Sequence, residues 1–142
     1  VFIMNKLKKA IHSKSSYAIL DKSLAGECTF QSGGCLILAE ALSMYMDVPV
    51  YVVYNKTLQI SEHFFVKMDQ TLFFDSDGLQ TGKKMLKKIS EEIGYGGNIL
   101  VIMEFNDKIS IGNIPRDLES SKELAEFFTT ETSAEKPGIL AV

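Results

Sequence analysis

The sequence predicts an α+β fold, and three observations carry that prediction. Apolar residues recur at helical spacing near both ends of the chain, and the middle holds successive runs rich in β-branched and aromatic residues. Between these regions lies "CLILAEALSMYM", residues 35–46, apolar around most of a helical circumference and therefore buried. The expected architecture is a buried helix headed by Cys35 against an antiparallel sheet of about four to six strands, with peripheral helices at both ends.

With 142 residues, 46% of them hydrophobic, the chain can bury one core, and a single domain over residues 1–128 is expected. The 15 Lys and Arg against 18 Asp and Glu, without a long basic run, exclude a large phosphate-binding face and hence nucleic acid as a partner. The longest uncharged apolar stretches, such as "NILVIM", fall far short of the roughly 20 residues that span a bilayer, so no membrane partner is expected. The first residues lack the layout of a secretory signal, which points to the cytoplasm. Cys28 and Cys35 would close only a very short loop as a disulfide, so both are read as free thiols.

Ile3, Met4, Leu7 and Ile11 mark a first amphipathic helix, and residues 15–24 a second. "AGECTFQSGG" is a polar, glycine-bearing loop that enters the apolar helix near Gly34 or Cys35; Asp47 and Pro49 end that helix. "VPVYVVYN", "HFFVKM" and "TLFFDS" follow as strands, the last two joined by a tight turn at Asp69 and Gln70. "DSDG" is turn chemistry, with Asp77 in the turn itself. "GKKMLKKISEEI", residues 82–93, is a surface helix with Met85, Leu86 and Ile89 inward, and its lysines at 83, 84, 87 and 88 read as a solvated face. "NILVIMEF" is another strand and "ISIGNI" a possible further one. "RDLESSKELAEFF" closes the domain as a helix, and residues 129–142 are expected to be a flexible or extended tail.

Three residues then align in chain order: Cys35 at a helix start, His63 early on a strand, and Asp75 at the end of the next strand. A hairpin turning at Asp69–Gln70 brings His63 opposite the segment from Asp75 to Asp77, so the acid reaches the imidazole. In such a set a thiolate attacks a carbonyl, an imidazole moves the proton, and a carboxylate fixes the imidazole tautomer. A helix start favours the thiolate, and cysteines so placed fall below the free value of about 8.5. Gly33 and Gly34 would let a substrate backbone approach the sulfur. The Cys35 amide is a candidate oxyanion donor; the second is either the Gln31 side chain or a backbone group of Glu27 or Cys28. His12, among lysines, reads as solvated. Neither the two cysteines with two histidines nor "DSDG" fits a zinc or calcium pattern, and no cofactor or metal is required.

"GGCLILAEAL" followed by "HFFVKMDQTLFFDSDG" resembles the papain-like and transglutaminase-like cysteine enzyme superfamily, over about residues 27–81. That resemblance implies a papain-like core, with Cys35 as nucleophile, His63 as base and Asp75 as orienting acid. "FFDSDG" is closer to small bacterial and phage members. Leu36 stands where the papain peptidases carry Trp after the cysteine, so the implied activity is general: a peptidase, amidase or deamidase, or transglutaminase-like acyl transferase acting on a protein or peptide. The alternative is a papain-like scaffold without catalysis, serving as a protein-binding or inhibitory module.

Overall fold

The computed structural model describes residues 2–22, 24, 29–94 and 96–132. Helices α1 (Phe2–Ile11) and α2 (Lys14–Asp21) lead to α3 (Cys35–Met46). Strands β1 (Val50–Asn55), β2 (Ile60–Lys67), β3 (Leu72–Asp75) and β4 (Gly78–Thr81) follow, then α4 (Gly82–Ile93), β5 (Leu100–Glu104) and α5 (Leu118–Glu131). The strands form one five-stranded sheet in the order β4-β3-β2-β1-β5, antiparallel throughout. The chain is thus α+β. Among the described residues, no helix is long and apolar enough to cross a membrane.

Alternation along the strands divides the core between two faces. Val66 and Phe74 turn toward α1, α2, α3 and α5, while Val52 and Phe64 meet the first turns of α3 at Leu36 and Ala39. Val53, Phe65 and Phe73 face the other way, onto Met85 and Ile89 of α4. Because β2 is covered on both sides, residues 63–66 are all buried, and strand alternation in the sequence shows no polar face there. Helix α3 lies between the sheet and α5, where Ser121 Oγ donates to the Ile37 carbonyl at 2.8 Å. That position explains a helix with no polar side.

The chain departs from the sequence reading at three places. "DSDG" turns as expected, with Ser76 and Asp77 as a two-residue turn and Gly78 at φ +102°, but the chain then returns as an unexpected strand, β4, with Asp75 opposite Gly78. "ISIGNI" is not a strand; Ile109, Ile111 and Ile114 instead lay their side chains on the Cys35, Leu36 and Phe64 cluster. Helix α5 runs three residues past the boundary expected at 128, and Thr132 just beyond it is buried, with Oγ1 donating to the Phe128 carbonyl at 2.8 Å. Of the expected tail, residues 133–142 lie outside the described residues.

Candidate active site

Cys35 is the first residue of α3 because the chain ahead of it turns sharply. Gly33 has φ +95°, and Gly34, the N-cap, donates its N–H to the Thr29 carbonyl at 2.8 Å. A Cβ on Gly34 would stand 2.7 Å from that same carbonyl and 3.1 Å from Leu20. The glycine is therefore required by the protein's own close packing, whatever part Gly34 has in substrate approach. Gly34→Ala is expected to lower unfolding stability by about 1–3 kcal/mol, the usual cost of overpacking, measurable by urea titration. With glycine as N-cap, no side chain caps the first turn, and the N–H of Cys35 lies at its open end.

His63 and Asp75 meet where two strands part. The β2–β3 ladder holds only Val66 opposite Phe74 and Lys67 opposite Phe73. Beyond those pairs the strands diverge, and the gap is bridged by side chains: His63 Nε2 donates to Asp75 Oδ2 at 2.8 Å. The Cys35 thiol lies near enough to favour the charged form of the ring. Phe65 stacks on the ring with centroids 5.8 Å apart. All three groups are deep, with Cys35 4% exposed and His63 and Asp75 2% each.

Asp75 carries four donors. Oδ2 accepts from His63 and from Lys88 Nζ at 2.6 Å, and Oδ1 accepts from Gln80 Nε2 at 2.7 Å and the Asp77 N–H at 2.9 Å. This uses about the whole acceptor capacity of a carboxylate. Burial opposes its charge, but the His63 and Lys88 hydrogen bonds and charges prevail and hold it well below the usual carboxylate range. Burial likewise works against a charged His63; the hydrogen bonds to Asp75 and then Cys35, with their charges, outweigh it and raise the imidazole to about 9.

Sequence reasoning missed two of these residues. Lys88, read as solvated, has its side chain only 19% exposed and also reaches Asp77 at 3.2 Å. The available signal was its place on the helix, three residues after buried Met85 and next to buried Ile89, on the flank of the apolar stripe. Gln80 carried no signal, lying in a strand that the sequence reading did not identify. Gln31 departs from its expected role: Nε2 donates to Ser76 Oγ at 2.5 Å, so the amide braces the β3–β4 turn. His12, exposed as expected, also braces the same turn, with Nε2 donating to the Ser76 carbonyl at 2.6 Å. Glu27 and Cys28, the other candidate donors, lie outside the described residues. Cys35 is a free thiol. Among the described residues, no group of His, Cys, Asp and Glu side chains is arranged to hold a metal ion.

A thiol, an imidazole and a carboxylate from three different elements thus lie together, all buried. No protein-family model, no curated protein and no solved structure matches the chain.

Proposed function

We propose that the protein is a thiol-dependent acyl-transfer enzyme of papain-like type, acting on amide bonds of a protein or peptide through Cys35, His63 and Asp75. The observation that carries this reading is an imidazole hydrogen-bonded to a buried carboxylate, with a buried thiol at a helix start close enough to favour its charged form. A buried polar cluster is tolerated only where its members are partnered, and strongly perturbed titration marks functional sites.

The chemistry follows from the contacts. Asp75 holds the Nε2 proton and so fixes the ring, leaving Nδ1 for the sulfur. The Cys35 proton passes to Nδ1, and the imidazolium is the counter-ion that a thiolate needs. Sulfur attacks the carbonyl carbon, and the oxyanion that forms accepts a hydrogen bond from the Cys35 N–H. Collapse breaks the carbon–nitrogen bond as His63 returns the proton to the leaving amine, which gives a thioester. Water, or an acceptor amine, then attacks the thioester while His63 takes its proton, and the thiol is restored.

One observation favours a second reading, a non-catalytic binding or inhibitory scaffold. Cys35 is nearly enclosed, and Phe105, Ile109, Ile111 and Ile114 pack on its apolar cluster. Alkylation by iodoacetamide in a Cys28→Ser background separates the two. The catalytic reading expects Cys35 in the folded protein to react rapidly near pH 7, and His63→Ala to slow it by about tenfold or more, the scale of losing a positioned base. Slow labelling with an ordinary thiol pH profile, unchanged in His63→Ala, leaves the scaffold.

A further inference from the structure

Lys88 has no place in the three-residue mechanism, yet its ammonium makes the shortest contact that Asp75 has, 2.6 Å to Oδ2. That oxygen also accepts from His63 Nε2, so one carboxylate oxygen serves both the ring and the ammonium. Its neighbours Lys83, Lys84 and Lys87 on α4 are exposed, whereas Lys88 is drawn inward between Met85 and Ile89, which anchor α4 on Phe65 and Phe73. The titratable groups recorded around the ring and its carboxylate are Cys35 from α3, Asp75 and Asp77 from the β3–β4 hairpin, and Lys88 from α4.

We propose that Lys88 is a positioning residue of this site: it clamps Asp75 toward His63 and, by sharing Oδ2, limits how tightly the carboxylate holds the imidazolium. This rests on the acyl-transfer reading and adds a condition to it. A buried carboxylate bound to imidazolium alone would retain the proton that His63 must hand to the leaving amine. A second cation on the same oxygen weakens that hold, because like charges a few ångströms apart disfavour each other. Gln80 and the Asp77 N–H on Oδ1 keep the carboxylate from rotating away, so the sharing is imposed by geometry.

The test follows the His63 ring by NMR through its own titration in a Cys35→Ala background, where no thiol at position 35 titrates beside it. The chain has two histidines, and His12→Gln assigns the signals. Lys88→Met is expected to raise the His63 midpoint by about one pH unit, the lower end of shifts caused by a charge within a few ångströms. Lys88→Arg, which keeps the charge, is expected to return it close to the parent value. A merely structural lysine would lower stability and leave the midpoint where it was. Should Lys88→Met fail to fold, Lys88→Gln retains a donor without the charge, and the same rise is expected. An unchanged midpoint in a folded neutral variant, or an Arg variant that behaves like the neutral one, overturns the proposal. Neither result depends on the alkylation rate of Cys35, whose failure would count against the acyl-transfer reading alone.

Discussion

Asp75→Ala is expected to cost about 3–5 kcal/mol of unfolding stability at neutral pH, the range for removing one partner of a buried charged pair. The size comes from what the substitution leaves behind. The carboxylate is 2% exposed and receives four donors from three elements of structure. Lys88 can swing to Asp77 and solvent, since its side chain is already 19% exposed. His63 and Gln80 have no such exit, being 2% and 4% exposed. Losing Asp75 removes the largest influence that favours a charged ring, and burial, which opposes it, is left to push the imidazole down from about 9. Asp75→Asn keeps the shape and one acceptor but presents an amide to donors, and should fall between Ala and the parent. Urea titrations of the three proteins measure the order. A loss below about 1 kcal/mol in Asp75→Ala would mean that desolvating the carboxylate had consumed nearly all that its partners return.

The parts of this site that were legible in the sequence are those set by short-range rules. Gly33 and Gly34 before an apolar run place Cys35 at a helix start, and the Asp69–Gln70 turn fixes which residues of β3 can face His63. Helix α4 was bounded correctly because Thr81 caps it, accepting from the Lys84 N–H, and Gly94 ends it in the left-handed region with φ +77°. Strand β4 was hidden because "GLQT" is four residues long with only one β-branched member, and its pairing depends on the positive φ that Gly78 supplies. "ISIGNI" alternates like a strand because Ile109 and Ile111 are both drawn to the same apolar cluster, yet no neighbouring strand pairs with it. The partners that Gln31, Lys88 and Gln80 take were beyond reach for a different reason. They lie 45, 13 and 5 residues away, and only the tertiary arrangement decides which polar group each side chain will meet.

These late contacts serve the early ones. The β2–β3 ladder stops at Val66 and Phe74, so backbone hydrogen bonds do not fix the distance between His63 and Asp75. What holds Asp75 in place is the hairpin beyond it: Asp75 opposite Gly78, Ser76 tied to His12 and Gln31, and α4 laid across by Met85 and Ile89. A site built in a gap between strands needs this outside bracing.

Stability should therefore vary with pH on the alkaline side. His63 has a folded-state value of about 9 against an ordinary value of about 6.5, so the folded protein holds this proton more tightly than the unfolded chain. Its contribution is fully present below about pH 6.5 and is lost as pH rises through 9; integrated, it amounts to about 3 kcal/mol. Asp75 has the opposite sign. Its folded value lies below the ordinary carboxylate value of about 3.9, so its contribution is present above pH 4 and lost only in stronger acid. A plateau between about pH 4 and 6.5 followed by a decline toward pH 9 is the expected curve, from urea midpoints at successive pH values. His63→Gln should be less stable at pH 6 and nearly flat over the alkaline range, so the two curves converge there. If the parent's decline persists undiminished in His63→Gln, other groups cause it, and the imidazolium–carboxylate pair is not what joins β2 to β3 across their gap.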